Sequence, residues 1–259
     1  MSEIGAAYGA SATAWRDGPE RVYERLAAAL LDRSPCDLAG ALVLDVGAGT
    51  GVASRIALLR GARRAVATDL AAGMLDQRDP GLAAVVADAQ ALPFADTSFD
   101  LVVAAFSLSH VPDPVAALRE ARRVAPSIAA SVFDPSWDHP AKQAVDEVMA
   151  GYGFVAPAWY AAMKRHEDVV EDSDRLARLA RDAGHENARV DRVVVETGVD
   201  DPAAMVDWRW GMAHLAPFVA TLAPGDRARA RVQAEVAVTG MAPVVIPMLA
   251  LSAGSAPMR

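Results

Sequence analysis

Short apolar runs recur along the first half of the chain, and each is followed by a stretch with apolar residues three and four apart. Ala41-Leu42-Val43-Leu44 is too short for a helix and reads as a buried strand, continued by Asp45 and Val46. Val52–Arg60 then has helical spacing and stops at Gly61. The alternation repeats. Arg64–Asp69 is a second strand, Leu70–Leu75 turns into a helix, Ala83–Ala87 is a third strand and Leu101–Ala105 a fourth. Val115, Leu118, Ala121 and Val124 share a helix face after Pro112-Asp113-Pro114, and Ile128–Phe133 is a fifth strand. Strand and helix in strict alternation predict a mostly parallel, doubly wound sheet.

Past residue 135 the pattern changes. Residues 136–172 read as helical and rich in aromatics, 174–183 as a helix closed by Gly184, and Ala188–Thr197 as strand six. Residues 201–240 are helical again, and Val244–Leu251 is strand seven. The whole predicts an α/β, Rossmann-like seven-stranded sheet with helices on both faces. Two insertions, about 136–172 and 201–240, are expected to form a helical cap over the sheet's carboxyl edge. The first residues are small and polar, and about 1–18 read as a lid that is flexible when empty, with Tyr8 and Trp15 able to close over a ligand. A helix follows Gly18-Pro19, with Val22, Tyr23, Leu26 and Leu30 at helical spacing.

The turn between the first strand and its helix carries Gly47, Gly49 and Gly51. Glycines there let the backbone approach a ligand, at the carboxyl edge where open α/β sheets bind. The spacing is not that of a dinucleotide fingerprint, because Val52 stands where its last glycine belongs. No Lys-Ser/Thr follows, so a phosphate-gripping loop is also excluded. Asp69, at the end of strand two, offers two acceptor oxygens to ribose hydroxyls, and Asp88, after strand three, can accept from an exocyclic amine. Met74, Ala89 and Leu92 supply apolar walls and Phe106 closes the far side.

Composition narrows the partners. The 259 residues are 53% hydrophobic and 22% charged, with a net charge of −8 and no long basic run, which disfavours nucleic acid. The single cysteine, Cys36, excludes an internal disulfide, and no carboxylate cluster beyond those assigned to the ligand suggests a metal. No apolar run reaches membrane-spanning length and no secretory pattern opens the chain, so a cytoplasmic protein is expected, monomer or homodimer.

LDVGAGTG (44–51), ATDLAAGML (67–75), VVADAQALPFADTSFDLVVAAFSLSHV (85–111) and PVAALREARRV (114–124) closely resemble the class I S-adenosylmethionine-dependent methyltransferases. The resemblance covers about residues 20–135. It implies S-adenosyl-L-methionine as cofactor and S-adenosyl-L-homocysteine as product, in a single methyltransferase domain. The resemblance places the glycine loop, with Phe106 and Ser107, at the methionine half of the cofactor, Asp69 at the ribose and Asp88-Ala89 at the adenine; with the other residues read above, the expected cofactor contacts are Tyr8, Asp45, Gly47, Ala48, Gly49, Gly51, Asp69, Leu70, Met74, Asp88, Ala89 and Phe106. A general base, where the acceptor needs one, is sought among His110, His139, His166 and His214. The aromatic insertions point to an apolar or aromatic small-molecule acceptor, met by Trp15, Trp137, Trp159, Tyr160, Trp208 and Met212, for O-, N- or C-methylation. The Ala/Arg/Asp-rich wording is that of a GC-rich bacterium, in which such enzymes often serve secondary metabolism. The competing expectation is a protein of the same fold that holds the cofactor as a scaffold for a non-methylating reaction such as a cyclisation.

Overall fold

The computed structural model describes residues 3–167 and 172–254, with only the backbone at 165–167. Seven strands form one sheet: β1 (Leu42–Val46), β2 (Arg64–Asp69), β3 (Ala83–Val86), β4 (Leu101–Ala105), β5 (Ser127–Phe133), β6 (Arg189–Val199) and β7 (Val244–Ala253). Their order is β3-β2-β1-β4-β5-β7-β6. β1 pairs in parallel with β2 and β4, β2 with β3, and β4 with β5, while β7 runs antiparallel to both β5 and β6. The order reverses at β1, so β1 and β4 part their following loops and open a crevice at their carboxyl ends.

Successive residues of each central strand face opposite layers, because side chains alternate along a strand. Val43, Leu101, Val103 and Ala129 join one core; Leu44, Val102, Ile128 and Ala130 join the other. The first core is filled by α2 (Glu20–Leu31) and α3 (Val52–Leu59), and by α6 (Pro140–Gly151), α9 (Pro202–Trp210) and α11 (Pro224–Val238) from the later half. The second is filled by α5 (Pro114–Val124) and α8 (Ser173–Asp182). The insertions therefore extend one helical layer beside the sheet. Of their helices, α7 (Ala158–Glu167) is the one that packs on the 3-10 turn Leu108–His110 at the carboxyl end of β4.

The expected flexible start is a helix, α1 (Glu3–Asp17), packed against α2, α7, α10 (Ala216–Thr221) and the one-turn helix α4 (Ala72–Leu75). Ile4, Tyr8, Ala12 and Trp15 lie along one side of it. Ala12 and Trp15 are buried, and Ile4 and Tyr8 pack on Trp159, Met163 and Ala213. The docking on α4 is backbone to backbone: a Cβ on Gly73 would lie 2.8 Å from the Gly9 carbonyl oxygen, so α4 could not come this close to α1 with a side chain at position 73.

Candidate active site

The crevice holds a cavity of about 330 Å³ that reaches from the turns after β1, β2 and β3 to the inner face of α1. The glycine turn is shaped by two steric conditions. Gly47 has φ +69, and a Cβ there would lie 2.3 Å from Ser107 Cβ; Ser107 in turn donates to the Val46 carbonyl at 2.7 Å. The turns after β1 and β4 are thus pressed together. Gly51 has φ +85 and precedes α3, where a Cβ would meet Leu82 at 2.6 Å. Gly51, expected among the cofactor contacts, does not line the cavity and sits in the turn's packing. Gly49 lines it, and there a Cβ would meet only the end of Met74, at 3.2 Å.

Asp69 ties two turns together. Its Oδ2 accepts from the Gly49 N–H and its Oδ1 from the Ala71 N–H, both at 2.8 Å. Burial holds its carboxyl above the ordinary range, against the pull of these hydrogen bonds. Each oxygen keeps a second lone pair, so ribose hydroxyls can still bind. Asp45, 1% exposed, accepts at Oδ2 from both the N–H and the hydroxyl of Ser54 in the first turn of α3. Its burial pushes the carboxyl up to about 6, and the neighbouring Asp69 adds to the effect. Asp88 is exposed and accepts from the Gln90 N–H at 2.9 Å, while the side-chain Oε1 of Gln90 accepts from the Asp113 N–H. Asp45, Gly47, Ala48, Gly49, Asp69, Leu70, Met74, Asp88, Ala89, Phe106 and Tyr8 all line the one cavity. Leu92, expected as a wall, is buried in the core with α5 instead.

The cavity suits the cofactor the resemblance implies. Thr50 Oγ1, in the glycine turn, is buried without a hydrogen-bond partner among the described residues, and Thr50 faces the cavity. Together with the Asp69 carboxylate and the Gly49 opening, this makes a polar cradle suited to the hydroxyl and carboxylate groups of an adenosyl amino acid. Phe106 holds φ +59, a conformation a bulky residue adopts at a cost, and it packs between Phe133 at 4.5 Å and Tyr23 at 5.6 Å.

The base candidates separate. His110 lines the cavity, with its Nε2 3.4 Å from the Tyr8 hydroxyl. His139 caps α6: its Nδ1 accepts from the Ala141 N–H and its Nε2 donates to the Ala242 carbonyl, so both ring nitrogens are used. His214 is buried and stacked on Tyr160 at 3.9 Å. Burial, reinforced by Arg209 and Lys164, lowers it to about 2, leaving a neutral and weakly basic imidazole. Neither His139 nor His214 lines the cavity. The side chain of His166 lies outside the described residues.

The acceptor candidates separate too. Trp15 lines the cavity; Trp137, Trp159, Tyr160, Trp208 and Met212 do not. Trp137 stacks on Phe133 and donates Nε1–H to the Val245 carbonyl at 2.9 Å. Trp208 is a core residue, 3% exposed, and Met212 packs beside it. Trp159 touches the cavity only through Tyr8, at 6.5 Å between rings. Among the lining residues that went unmarked as site residues in the sequence are Thr50, Tyr23 and Ile4. Tyr23 sits one position from the core stripe Val22-Leu26-Leu30, and Ile4 shares the α1 stripe with Tyr8 and Trp15.

Residues 44–127 match a protein-family profile described as a methyltransferase domain. The demethylmenaquinone methyltransferase of Corynebacterium glutamicum is 37% identical over 125 residues, 48% of this chain and 52% of the relative. The chain spans about half the length of the curated relatives it matches. Among solved structures, a protein of Anabaena variabilis assigned as an antibiotic-pathway methyltransferase has TM-score 0.61 at 14% identity, over 90% of this chain and 99% of that one. The 4+2 cyclase SpnF has TM-score 0.52 at 18% identity, over 89% and 81%. At such identities the structures show the fold alone. The matched domain, the sheet order and the four strand ends around one cavity agree: residues 44–127 are a methyltransferase domain, carried on an α/β, Rossmann-like seven-stranded fold shared with solved methyltransferases.

Proposed function

We propose that the chain transfers the methyl group of S-adenosylmethionine to a small, apolar or aromatic acceptor. One observation carries the reading: a single cavity joins the glycine turn and Asp69 to a wall of aromatic rings on α1 and α2. The cofactor brings a methyl already activated on a sulfonium. The chain's work is then to align donor and acceptor and to keep water out. Asp69 and the Gly49 backbone hold the adenosyl end, Asp88 the adenine, and Phe106 and Ser107 the methionine end. Helix α1 is the lid, and His110 accepts the proton of a hydroxyl or amine acceptor. The names of the curated relatives, which act on demethylmenaquinone, support a ring-bearing acceptor. A role in secondary metabolism is part of the same reading.

Incubation with methyl-labelled cofactor and aromatic hydroxyl acceptors should move the label to the acceptor. His110→Asn should slow that transfer by about 100-fold, with cofactor affinity kept. Conversion of an acceptor supported equally well by S-adenosylhomocysteine would replace this reading with a non-methylating rearrangement.

A further inference from the structure

The cavity is lopsided in charge. Its described lining holds three carboxylates, Asp45, Asp69 and Asp88, and no lysine or arginine. All three belong to the strand ends around the glycine turn. The opposite side is a continuous run of rings. His110 and Tyr8 have centroids 5.7 Å apart, Tyr8 and Trp15 5.6 Å, Trp15 and Tyr23 4.7 Å, and Tyr23 and Phe106 5.6 Å. Trp15 and Phe106 are buried, so the middle and one end of this wall are fixed by packing.

We infer that the acceptor is a flat, uncharged ring system bearing a hydroxyl, and that the site rejects acceptors carrying a carboxylate or phosphate. This rests on the methyl-transfer reading and names the substrate class of that site. Ring faces spaced this way reward stacking and edge contacts with a planar ligand. In the complex with S-adenosylhomocysteine, which carries no sulfonium, an anion placed there would lose its water, meet no lysine or arginine of the described lining and face three carboxylates, so the desolvation cost would go unreturned. A cation would suit the rings and the acids. It would, however, sit against the positive sulfonium of the donor, and a protonated amine has no lone pair for attack. The hydroxyl has a place in the same wall. The Tyr8 Oη to His110 Nε2 distance of 3.4 Å is long for such a hydrogen bond, and both residues line the cavity, so a ligand hydroxyl lying beside the pair can reach the two together.

The test is calorimetry on the full chain saturated with S-adenosylhomocysteine, using two probes of one shape: a hydroxynaphthamide, which is neutral, and the matching hydroxynaphthoate. The amide should bind, and the carboxylate about 100-fold more weakly. Ile4 lines the cavity one helical turn from Tyr8. Ile4→Arg should recover about tenfold or more of the lost carboxylate affinity, and the uncharged Ile4→Gln should not. Equal binding of the two probes by the wild-type chain would overturn the proposal. So would tightest binding of a naphthyl trimethylammonium probe, or no binding of the neutral ring. Failure of S-adenosylhomocysteine itself to bind would overturn the methyl-transfer reading and this proposal with it.

Discussion

The turns after β1, β2 and β4 are held by backbone hydrogen bonds and by contacts that tolerate no Cβ, whereas the helices after β5 hold their aromatics by packing. In the first region Asp69 fixes the Gly49 and Ala71 N–H groups, and Gly47 lies against Ser107. In the second, Trp137 and Trp208 pack into a core and Tyr160 stacks on His214. The contrast teaches that a wealth of aromatics near a cleft does not make a pocket. The rings that face the cavity come from α1, α2 and the end of β4, not from the insertions richest in them.

Breaking the packed region should cost the most. Trp208→Ala should lower stability by about 3–5 kcal/mol in urea unfolding, while the folded variant binds S-adenosylmethionine as the wild type does. Weakened cofactor affinity in that variant would merge the two regions into one.

Acid should act on the two regions in opposite directions. Asp45 has its folded value raised to about 6, so its contribution to stability is present at low pH and is lost as pH rises toward and through 6. The loss is about 3 kcal/mol. His214 has its folded value lowered to about 2, so its contribution is present above its ordinary 6.5 and is lost as pH falls below that. The loss is about 1.4 kcal/mol per pH unit. Between pH 6.5 and 4 the two offset each other. Asp45→Asn should therefore make the chain more acid-sensitive, and His214→Gln should make it gain stability on acidification. Urea midpoints at pH 4.5 and 7 would read this, and unchanged slopes would show that neither group is shifted.

The smallest effect belongs to the cofactor side. Asp69→Ala should weaken S-adenosylmethionine by about 1–3 kcal/mol in calorimetry, through lost ribose contacts and a loosened Gly49 turn. Unchanged affinity would place the adenosyl end elsewhere in the cavity.

Legibility in the sequence followed distance along the chain. Asp45, the glycines, Asp69, Asp88 and Phe106 sit at or just beyond strand ends, and a parallel sheet brings such ends to one edge whatever else the chain does. Helix α1 was legible only in part. Its stripe Ile4, Tyr8, Ala12, Trp15 has helical spacing, but the glycines at 5 and 9 and the small residues between make it read as a flexible tail. Gly73 is there because the Gly9 carbonyl is its neighbour, and no local pattern shows that α1 docks at that point. Tyr23 was hidden for a similar reason, since one step around α2 separates a core position from a cavity position. His139 and His214 resembled His110 in type and in closeness to aromatics, and only their partners set them apart.

By itself, the sequence determined the seven-stranded alternation, the glycine turn with its acids, and the match to a methyltransferase domain, because each of these is written in consecutive residues or at repeated strand ends. The tertiary structure decided which aromatics face the cavity, which of the described histidines lines it, and that the cavity has carboxylates on one side and uncharged rings on the other. Those depend on which face of a helix lands against which strand end. That choice is made by close packing among residues far apart in the chain, and periodicity alone leaves it open.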